Sequence, residues 1–336
     1  MIPQPGNGPD RQAATGGALV CVSHSPIIMI RARPPAEEPE LLAYYTDCAE
    51  RIARFDPEQV IVFGTDHFAG FSLSMMPAHC IGLACEAVDD VGGFPGRLAV
   101  PREAALALVA HLRASDFDTA VSYKMRIDHG FSQPIKRLLG AHDRYPVIPV
   151  FIGALAPPYL PFRRSRLLGE AIGRFVHESG KRTLFLGSGG LSHHPTRYYP
   201  LVGEGDPAVA AYQLEGARGG SFSDEAWLRR IYDMHVEGAD MLVSGQRTRA
   251  DIRLNPELDQ HFLAELCAGR LAAFDSWDTT ALVDTAGIGF LELHTWIAAT
   301  AAHLAIGGGL PDDHRYAPTL EYGIGYGMVS AGLPPS

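Results

Sequence analysis

Histidines that follow predicted strands are the side chains of this sequence whose type and spacing indicate chemistry. The chain has 336 residues and 14 histidines. Three of them, His24, His67 and His193, come a few residues after short apolar runs. In open α/β sheets, ligands bind beyond the carboxyl ends of the strands, where side chains from distant parts of the sequence meet. The spacing therefore predicts one site to which these three histidines contribute.

An acidic residue directly precedes two of the candidate histidines. Asp66 comes before His67, and Asp128 comes before His129. A carboxylate beside an imidazole can fix its tautomer or increase its basicity. Adjacency therefore predicts Asp66 and Asp128 as residues that orient the imidazoles. For His129, the alternative is an ordinary histidine in a hydrogen-bonded turn.

A set of two imidazoles and one carboxylate in this sequence can form a metal site. On one face of an ion, such a set leaves positions open for substrate and oxygen, as in the facial triad of non-haem Fe(II) oxygenases. His24, His67 and Glu292 can supply it, which leaves His129 and His193 to act as acid and base. Spacing alone does not select this trio from 14 histidines. It also does not distinguish iron from zinc, which accepts the same ligands.

The elements that must position these side chains follow the pattern of an α/β protein, because short β-branched runs alternate with longer amphipathic stretches. The predicted strands are 18–22, 59–63, 80–84, 119–123, 147–152 and 183–186. The predicted helices are 38–55, 102–114, 131–139, 165–179, 224–238, 256–264 and 290–305. Since no shift in composition marks a boundary, we expect one α/β unit with a helical C-terminal section.

Three segments near the candidate residues have specific predictions. Apolar residues at helical spacing place Glu292 in the first turn of the last helix, where the helix dipole favours a carboxylate. The Gly-Ser-Gly-Gly stretch 187–190 lacks the lysine and the spacing of a phosphate-binding loop, which favours close approach of its backbone to a ligand or metal. The segment 195–223, rich in Gly, Pro and Tyr, is predicted to be a loop over the site.

Composition limits the class of protein. The chain contains 28 Lys and Arg against 38 Asp and Glu, a net charge of −10, which disfavours a nucleic-acid partner. Five cysteines without a C-x-x-C pair disfavour both a disulfide framework and a thiolate zinc site. No run of about 18 apolar residues predicts a membrane helix. The N-terminal residues 1–17 lack the features of a signal peptide and are predicted to be a disordered extension, which favours a cytoplasmic protein.

Five segments occur in an order that identifies a family. They are VSHSP, FGTDHFAGF, RIDHGFSQP, LFLGSGGLSHHP and FLELHTW. Together they resemble the LigB-type (class III) extradiol dioxygenases, over a catalytic domain of residues 18–333. This resemblance implies a phosphorylase/peptidase-like α/β unit with a mixed central sheet flanked by helices. It also implies extradiol cleavage of a catechol ring by O2 in aromatic-compound catabolism, in a homo-oligomer.

The resemblance assigns a role to each candidate residue. It implies Fe(II) ligands at His24, His67 and Glu292, a proton donor at His129 and a proton acceptor at His193. Acid and base must hold opposite protonation states at one pH, so we expect their surroundings to shift their pKa values in opposite directions.

The substrate side chain is the least defined part of the prediction. The similarity is strongest to the subgroup that acts on 3-substituted catechols such as 3-(2,3-dihydroxyphenyl)propionate or 2,3-dihydroxycinnamate. A carboxylate on that chain needs a cation, for which Arg126 and Arg197 are candidates. His194, which adjoins the proposed base, is a further candidate for contact with the substrate. For both arginines the alternative is a solvated surface position.

Two alternatives to a dioxygenase stay open from the sequence. One is a zinc-dependent hydrolase on the same fold, which would use the same ligand set around a bound water. The other is a non-catalytic binding protein similar to the Memo proteins. The second requires a damaged metal or acid–base set, whereas all five positions are intact here.

Overall fold

A computed structural model of the protein describes residues 16–30, 33–195, 201–204, 207–216 and 224–336. Its strands are β1 (Gly17–Val22), β2 (Gln59–Gly64), β3 (His79–Gly82), β4 (Cys85–Ala87), β5 (Gly96–Arg97), β6 (Ala120–Ser122), β7 (Met125–Ile127), β8 (Val147–Ile152), β9 (Thr183–Ser188), β10 (Asp313–Thr319) and β11 (Ile324–Ala331). Eight of them form one mixed sheet in the order β10-β11-β1-β9-β2-β8-β3-β6. The other three form a small sheet in the order β5-β4-β7.

Four parallel strands make up the centre of the large sheet. β1, β9, β2 and β8 pair in parallel, with Val20 opposite Leu186 and Ile61 opposite Phe185. They are buried on both faces, which is why their sequences are continuous apolar runs. Because the strands run in the same direction, the residues that follow β1, β2 and β9 lie at the same edge of the sheet.

The helices cover both faces of this sheet. They are α1 (Ile27–Ile30), α2 (Glu38–Phe55), α3 (Arg102–Ala114), α4 (His129–Pro134), α5 (Phe162–Ser179), α6 (Pro207–Glu215), α7 (Asp224–Val243), α8 (Pro256–Cys267), α9 (Thr279–Ala286) and α10 (His294–Ala305). Leu19 and Cys21 of β1 face the cluster that includes α5 and α10, while Val20 and Val22 face the one that includes α2. The alternation along each strand therefore builds two separate apolar layers.

The close packing of helix α5 against helix α10 requires two glycines in α5. A side chain at Gly169 or Gly173 of α5 would overlap the backbone carbonyl of Ala298 or Ala302 of α10. The two helices therefore pack with their backbones close together. This contact fixes α10, and with it the 3₁₀ turn Ile288–Leu293 that directly precedes it.

Most of the predicted elements are confirmed. The predicted bounds of α2 and α3 match those of the structure, and all six predicted strands are present within two residues at each end. The helix predicted at 131–139 consists of α4 and a π-helical turn, Ile135–Leu139. No helix in the described part of the chain is both long enough and apolar enough to cross a membrane.

Three predictions about the second half of the chain are corrected. The C-terminal section is not purely helical, because β10 and β11 form an antiparallel pair that extends the sheet beside β1. Glu292 lies in the 3₁₀ turn and not in the first turn of α10. The predicted loop 195–223 contains the helix α6 in its described part. Of the predicted disordered extension 1–17, residues 1–15 lie outside the described residues, and Gly17 already belongs to β1.

Candidate active site

Two histidines and one glutamate meet beyond the carboxyl ends of β1 and β2. The Nε2 atom of His67 lies 3.1 Å from Oε1 of Glu292, and Nε2 of His24 lies 3.5 Å from Oε2 of the same carboxylate. All three side chains are buried. The structure therefore brings together three residues that are separated by up to 268 positions in the sequence.

The other ring nitrogen of each histidine determines which atom faces the carboxylate. Nδ1 of His24 lies 2.9 Å from Oγ of Ser188, and that hydroxyl donates to the carbonyl oxygen of Gly130. Since the hydroxyl proton is already engaged, Nδ1 of His24 is the donor and its Nε2 carries the lone pair. Nδ1 of His67 lies 3.1 Å from Oδ2 of Asp128, which fixes the same tautomer. Nε2 of each histidine therefore faces Glu292: that of His67 donates to the carboxylate when it is protonated, and both Nε2 atoms could bind a metal ion when neutral.

The carboxylate of Glu292 is held by the loop that follows β9. The backbone N–H of Gly190 donates to its Oε2 at 2.6 Å. A side chain at Gly189 would contact the backbone and Cβ of Glu292 at 2.7–2.8 Å, so the loop can pass this close only as glycine. The predicted close approach of the glycine stretch is thus observed, and its partners are site side chains.

The ionisation of this cluster follows from burial and from its mixed charges. Burial lowers the pKa of His24 to about 3, so its imidazole is neutral at pH 7. Burial opposes the charge on His67, yet the carboxylates of Asp128 and Glu292 raise its pKa well above the ordinary value. Burial would likewise raise the pKa of Glu292, but the two imidazoles hold it below its usual range. The carboxylate is therefore ionised and available as a ligand.

The structure also places His129 at this cluster. Its ring stacks on that of His67, with centroids 4.3 Å apart and planes 17° apart. One nitrogen from each of His24, His67 and His129 lies within 4.8 Å of the others. Nδ1 of His129 lies 2.5 Å from Oδ2 of Asp90, which also accepts the backbone N–H of His129 at 3.1 Å.

Asp90 is a site residue that the sequence analysis missed. It lies in the segment between β4 and β5, in the small sheet whose strand β7 leads into His129. Its other carboxylate oxygen, Oδ1, is buried without a hydrogen bond in the described structure. No motif marks it, because 39 residues separate it from its partner.

His193 lies in a glycine cradle, which is formed by the carbonyl oxygen of Leu191 and by the backbone at Gly190 and Gly289. Its Nδ1 lies 2.9 Å from the carbonyl oxygen of Leu191, so Nδ1 is the donor and Nε2 carries the lone pair. A side chain at Gly190 or at Gly289 would overlap the imidazole ring. The preceding residue, Ser192, donates from both its backbone N–H and its hydroxyl to the buried carboxylate of Asp259 on α8. Two glycines and one buried carboxylate thus set the position of this ring.

The pKa values of the acid and base candidates do not move in opposite directions. Burial lowers the pKa of His193 below its ordinary value. Burial, assisted by the charge of His67, lowers that of His129 to about 4. The expected divergence is therefore not found between the two imidazoles. It arises instead between His129 and its carboxylate partner, because burial raises the pKa of Asp90 well above its ordinary value.

Two cavities open onto the cluster. The larger, of about 570 Å³, is lined by His24, His67, His129, His193 and His194 together with apolar residues of α1, α7 and β11. The smaller, of about 350 Å³, is lined by other faces of His67 and His193 and by Glu292, and it includes residues of the predicted loop 195–223.

The remaining predicted residues are placed as follows. The side chain of Asp128 hydrogen-bonds the imidazole of His67 and not that of its sequence neighbour His129. The described hydrogen bonds of Asp66 are to the backbone N–H groups of Gly70 and Phe71. His194 lines the larger cavity. Arg126 lies on β7 and lines neither cavity. Arg197 lies outside the described residues.

Comparisons with known proteins agree with the resemblance found in the sequence. Two curated relatives are 2,3-dihydroxyphenylpropionate/2,3-dihydroxicinnamic acid 1,2-dioxygenases. The one from Pseudomonas putida is 41% identical over 316 residues, which are 93% of this chain and 98% of the relative. The one from Escherichia coli K12 is 40% identical over 315 residues, with the same coverage. A solved structure of an uncharacterized protein from Escherichia coli K12 covers 94% of this chain and 99% of its own, with a TM-score of 0.48 and 13% identity.

A match along most of the chain identifies the family. The model of the family described as the catalytic LigB subunit of aromatic ring-opening dioxygenase matches residues 18–321. This range contains all the histidines and carboxylates of the cluster described above. The chain therefore belongs to the LigB family, and the protein is an aromatic ring-opening dioxygenase.

Proposed function

We propose that the protein cleaves the ring of a 3-substituted catechol at a bond beside the diol, with Fe(II) held by His24, His67 and Glu292. The substrates named for the relatives, 2,3-dihydroxyphenylpropionate and 2,3-dihydroxicinnamic acid, define the proposed class. The observation that carries the proposal is the convergence of two imidazole Nε2 atoms on one buried carboxylate, at 3.1 and 3.5 Å.

The three side chains fit a metal ion in chemistry and spacing. Ligand atoms about 2.1 Å from one ion and at right angles to each other lie about 3 Å apart. The N–O separation of 3.1 Å at His67 agrees with this value, and that of 3.5 Å at His24 is somewhat longer. Two imidazoles and a carboxylate are also the donor set of non-haem Fe(II) oxygenases, with positions left for other ligands. Bound Fe(II) would supply Lewis acidity, which lowers the pKa of catechol hydroxyls, and a site for O2.

His193 is the proposed base, and its environment suits that role. The lowered pKa keeps the imidazole neutral at pH 7, so its Nε2 can take a proton from a substrate hydroxyl. The hydrogen bond from Nδ1 to the carbonyl oxygen of Leu191 holds the ring in the tautomer that leaves this lone pair available. The ring lines both cavities, so it reaches the space in which a catechol would bind.

His129 is the proposed acid, in partnership with Asp90. Nδ1 and Oδ2 are 2.5 Å apart, a separation that requires a proton between them. Burial raises the pKa of Asp90 and lowers that of His129, and both shifts favour a proton shared between the two groups. When negative charge develops on oxygen beside His129, that proton can shift to the imidazole, which then donates from Nε2. The acid is therefore the pair and not the imidazole alone.

An aerobic assay of the iron-loaded protein tests the proposal. Protein is reconstituted with Fe(II) without oxygen and then mixed with 2,3-dihydroxyphenylpropionate in aerated buffer. Appearance of a yellow ring-fission product, with one O2 consumed per catechol, is the expected result. Protein that binds stoichiometric zinc in preference to iron and consumes no O2 with any catechol would contradict it.

We also propose, from the family resemblance, that the protein is a homo-oligomer and that it is located in the cytoplasm. Light scattering of the purified protein and fractionation of cells test the two statements separately.

A further inference from the structure

The larger cavity contains a charge that the proposed chemistry does not use. Among the described residues that line it, Arg247 is the one lysine or arginine, and no aspartate or glutamate is present. Most of its other walls away from the histidines are apolar, including Ile27, Leu242 and Ile252. The cavity thus combines a histidine cluster, an apolar lining and one permanent positive charge.

The guanidinium of Arg247 is buried, since the residue is only 8% exposed. It follows α7, where its backbone N–H donates to the carbonyl oxygen of Met241 at 3.0 Å. Its Nη2 donates at 3.4 Å to the carbonyl oxygen of His194, the residue after the proposed base. The guanidinium of Arg247 is therefore hydrogen-bonded to the loop that contains His193.

A buried cation stabilises an anion that enters the same cavity. A guanidinium keeps its charge and has five N–H donors, so it can bind an entering carboxylate while other donors hold atoms of the protein itself. The planar fork of N–H donors matches a carboxylate in particular. The apolar walls around it suit the aromatic ring and methylene groups to which such a carboxylate is attached.

We propose that Arg247 binds the side-chain carboxylate of the substrate and thereby selects anionic 3-substituted catechols over uncharged ones. This assignment rests on the proposed function, because it takes the substrate to be a catechol that binds at the histidine cluster. Arg247 takes the place of Arg126, which lines neither cavity. Arg197 lies outside the described residues and stays a prediction from the sequence.

A pair of substrates that differ only in charge tests the assignment. Kinetics are measured with 3-(2,3-dihydroxyphenyl)propionate and with 3-propylcatechol, for the wild type and for Arg247→Gln. A hydrogen-bonded charge pair contributes about 1.5–3 kcal/mol. KM for the propionate is therefore expected to rise about tenfold to a hundredfold in the variant, with KM for 3-propylcatechol close to the wild-type value. Arg249→Gln, an exposed position on the same loop, is the matched control and is expected to change neither KM.

A binding measurement separates this proposal from the proposed function. 3-Phenylpropionate has the carboxylate but no diol, so its affinity reports on the carboxylate site alone. Calorimetry is expected to show binding to the wild type, weaker binding to Arg247→Gln, and partial recovery in Arg247→Lys. If no catechol is cleaved but this pattern holds, the carboxylate site stands and the proposed function fails.

The opposite pattern would overturn the assignment while leaving the function intact. In that case the wild type would cleave the ring, but the Arg247→Gln variant would have an unchanged KM for the propionate. An equal rise of KM for the charged and the uncharged catechol would also overturn it, because the loss would then be structural. Circular dichroism and thermal unfolding of each variant show whether it is folded, and Arg247→Lys provides the comparison if the glutamine variant is not.

Discussion

Oδ2 of Asp128 lies 3.1 Å from Nδ1 of His67, although Asp128 is the sequence neighbour of His129. It also accepts the backbone N–H of His67 at 2.5 Å. His129 in turn has its own carboxylate, Asp90, from a different segment. Each imidazole is thus oriented by an acid that is not adjacent to it in sequence. These two contacts link three parts of the chain at the site: the end of β2, the end of β7 and the segment after β4.

The contact between Asp128 and His67 predicts a loss of iron affinity on substitution. Asp128→Asn removes the charge that fixes the His67 tautomer, and we expect Fe(II) to bind 10- to 100-fold more weakly. Asp66→Asn is the matched comparison, since this acid directly precedes His67 but hydrogen-bonds the backbone of Gly70 and Phe71. Anaerobic Fe(II) titration measures both. Loss of affinity in Asp66→Asn alone would show that adjacency, and not the observed contact, is decisive.

Substitution separates the ligands from the acid and base. His193→Ala and His129→Ala are expected to keep iron while kcat falls by about 10²–10⁴ for each group. His67→Ala is expected to lose the iron, since it removes an imidazole that faces Glu292. Metal content and ring-cleavage rate are measured on the same preparations. Wild-type turnover in His193→Ala would refute its assignment as base.

The pair of Asp90 and His129 predicts a change in pH dependence. The shared proton must be present for donation, so activity is expected to fall as pH rises through the apparent pKa of the pair. Asp90→Asn removes the carboxylate that stabilises the imidazolium, which lowers that pKa. The alkaline limb of the kcat profile should therefore move to lower pH, together with a lower maximum rate. A variant with an unshifted alkaline limb would exclude the pair as the proton donor.

The glycine cradle around His193 predicts a substitution that affects chemistry without affecting the metal. A methyl group in Gly289→Ala would overlap the His193 ring, so the base must move. We expect a fall in kcat as large as the one expected for His193→Ala, with iron content unchanged. Gly309→Ala is the control, because no heavy atom lies within 4 Å of the added group. Equal rates in Gly289→Ala and the wild type would show that the ring position is not critical.

A buried histidine outside the site predicts part of the acid sensitivity of the fold. Burial lowers the pKa of His79 from 6.5 to about 4, and its Nε2 has no hydrogen bond in the described structure. Below pH 6.5 the unfolded chain takes up a proton that the folded chain does not, so stability falls as pH decreases toward 4. This group contributes at most about 3 kcal/mol of that loss.

Urea unfolding at several pH values measures this contribution. His79→Gln is expected to lose less stability than the wild type between pH 7 and pH 4.5. His177→Gln replaces an exposed histidine of α5 and is expected to follow the wild type. If the curves of all three proteins are parallel, His79 is not a source of the acid sensitivity.

Much of the fold could be predicted because its central strands and several helices carry strong local signals. The runs in β2 and β8 are apolar and β-branched, and α2 and α3 have clear apolar periodicity. β10 and β11 lack such signals, since β10 contains Pro318 and charged residues and β11 contains two glycines. These strands form because β11 pairs with β1, a contact between opposite ends of the chain. Local sequence does not encode that pairing.

The candidate site shows the same division. The strand-end positions of His24, His67 and His193 could be predicted because parallel strands end at one edge of the sheet. The partners of the imidazoles could not, because no local pattern pairs Ser188 with His24, and Asp90 comes from a segment without a motif. Asp259, which holds Ser192 beside the proposed base, also comes from a segment without a motif. Adjacency gave the wrong partner for Asp128 for the same reason. Arg247 had no signal at all, since only the cavity shows where its charge lies.

Locating bound iron by anomalous diffraction tests the central claim most directly. In crystals of the Fe(II)-loaded protein grown without oxygen, the account predicts one iron peak about 2.0–2.2 Å from Nε2 of His24, Nε2 of His67 and a carboxylate oxygen of Glu292. An iron peak bound instead by His129 with Asp90 and Asp128, which also lie close enough together to hold an ion, would contradict it.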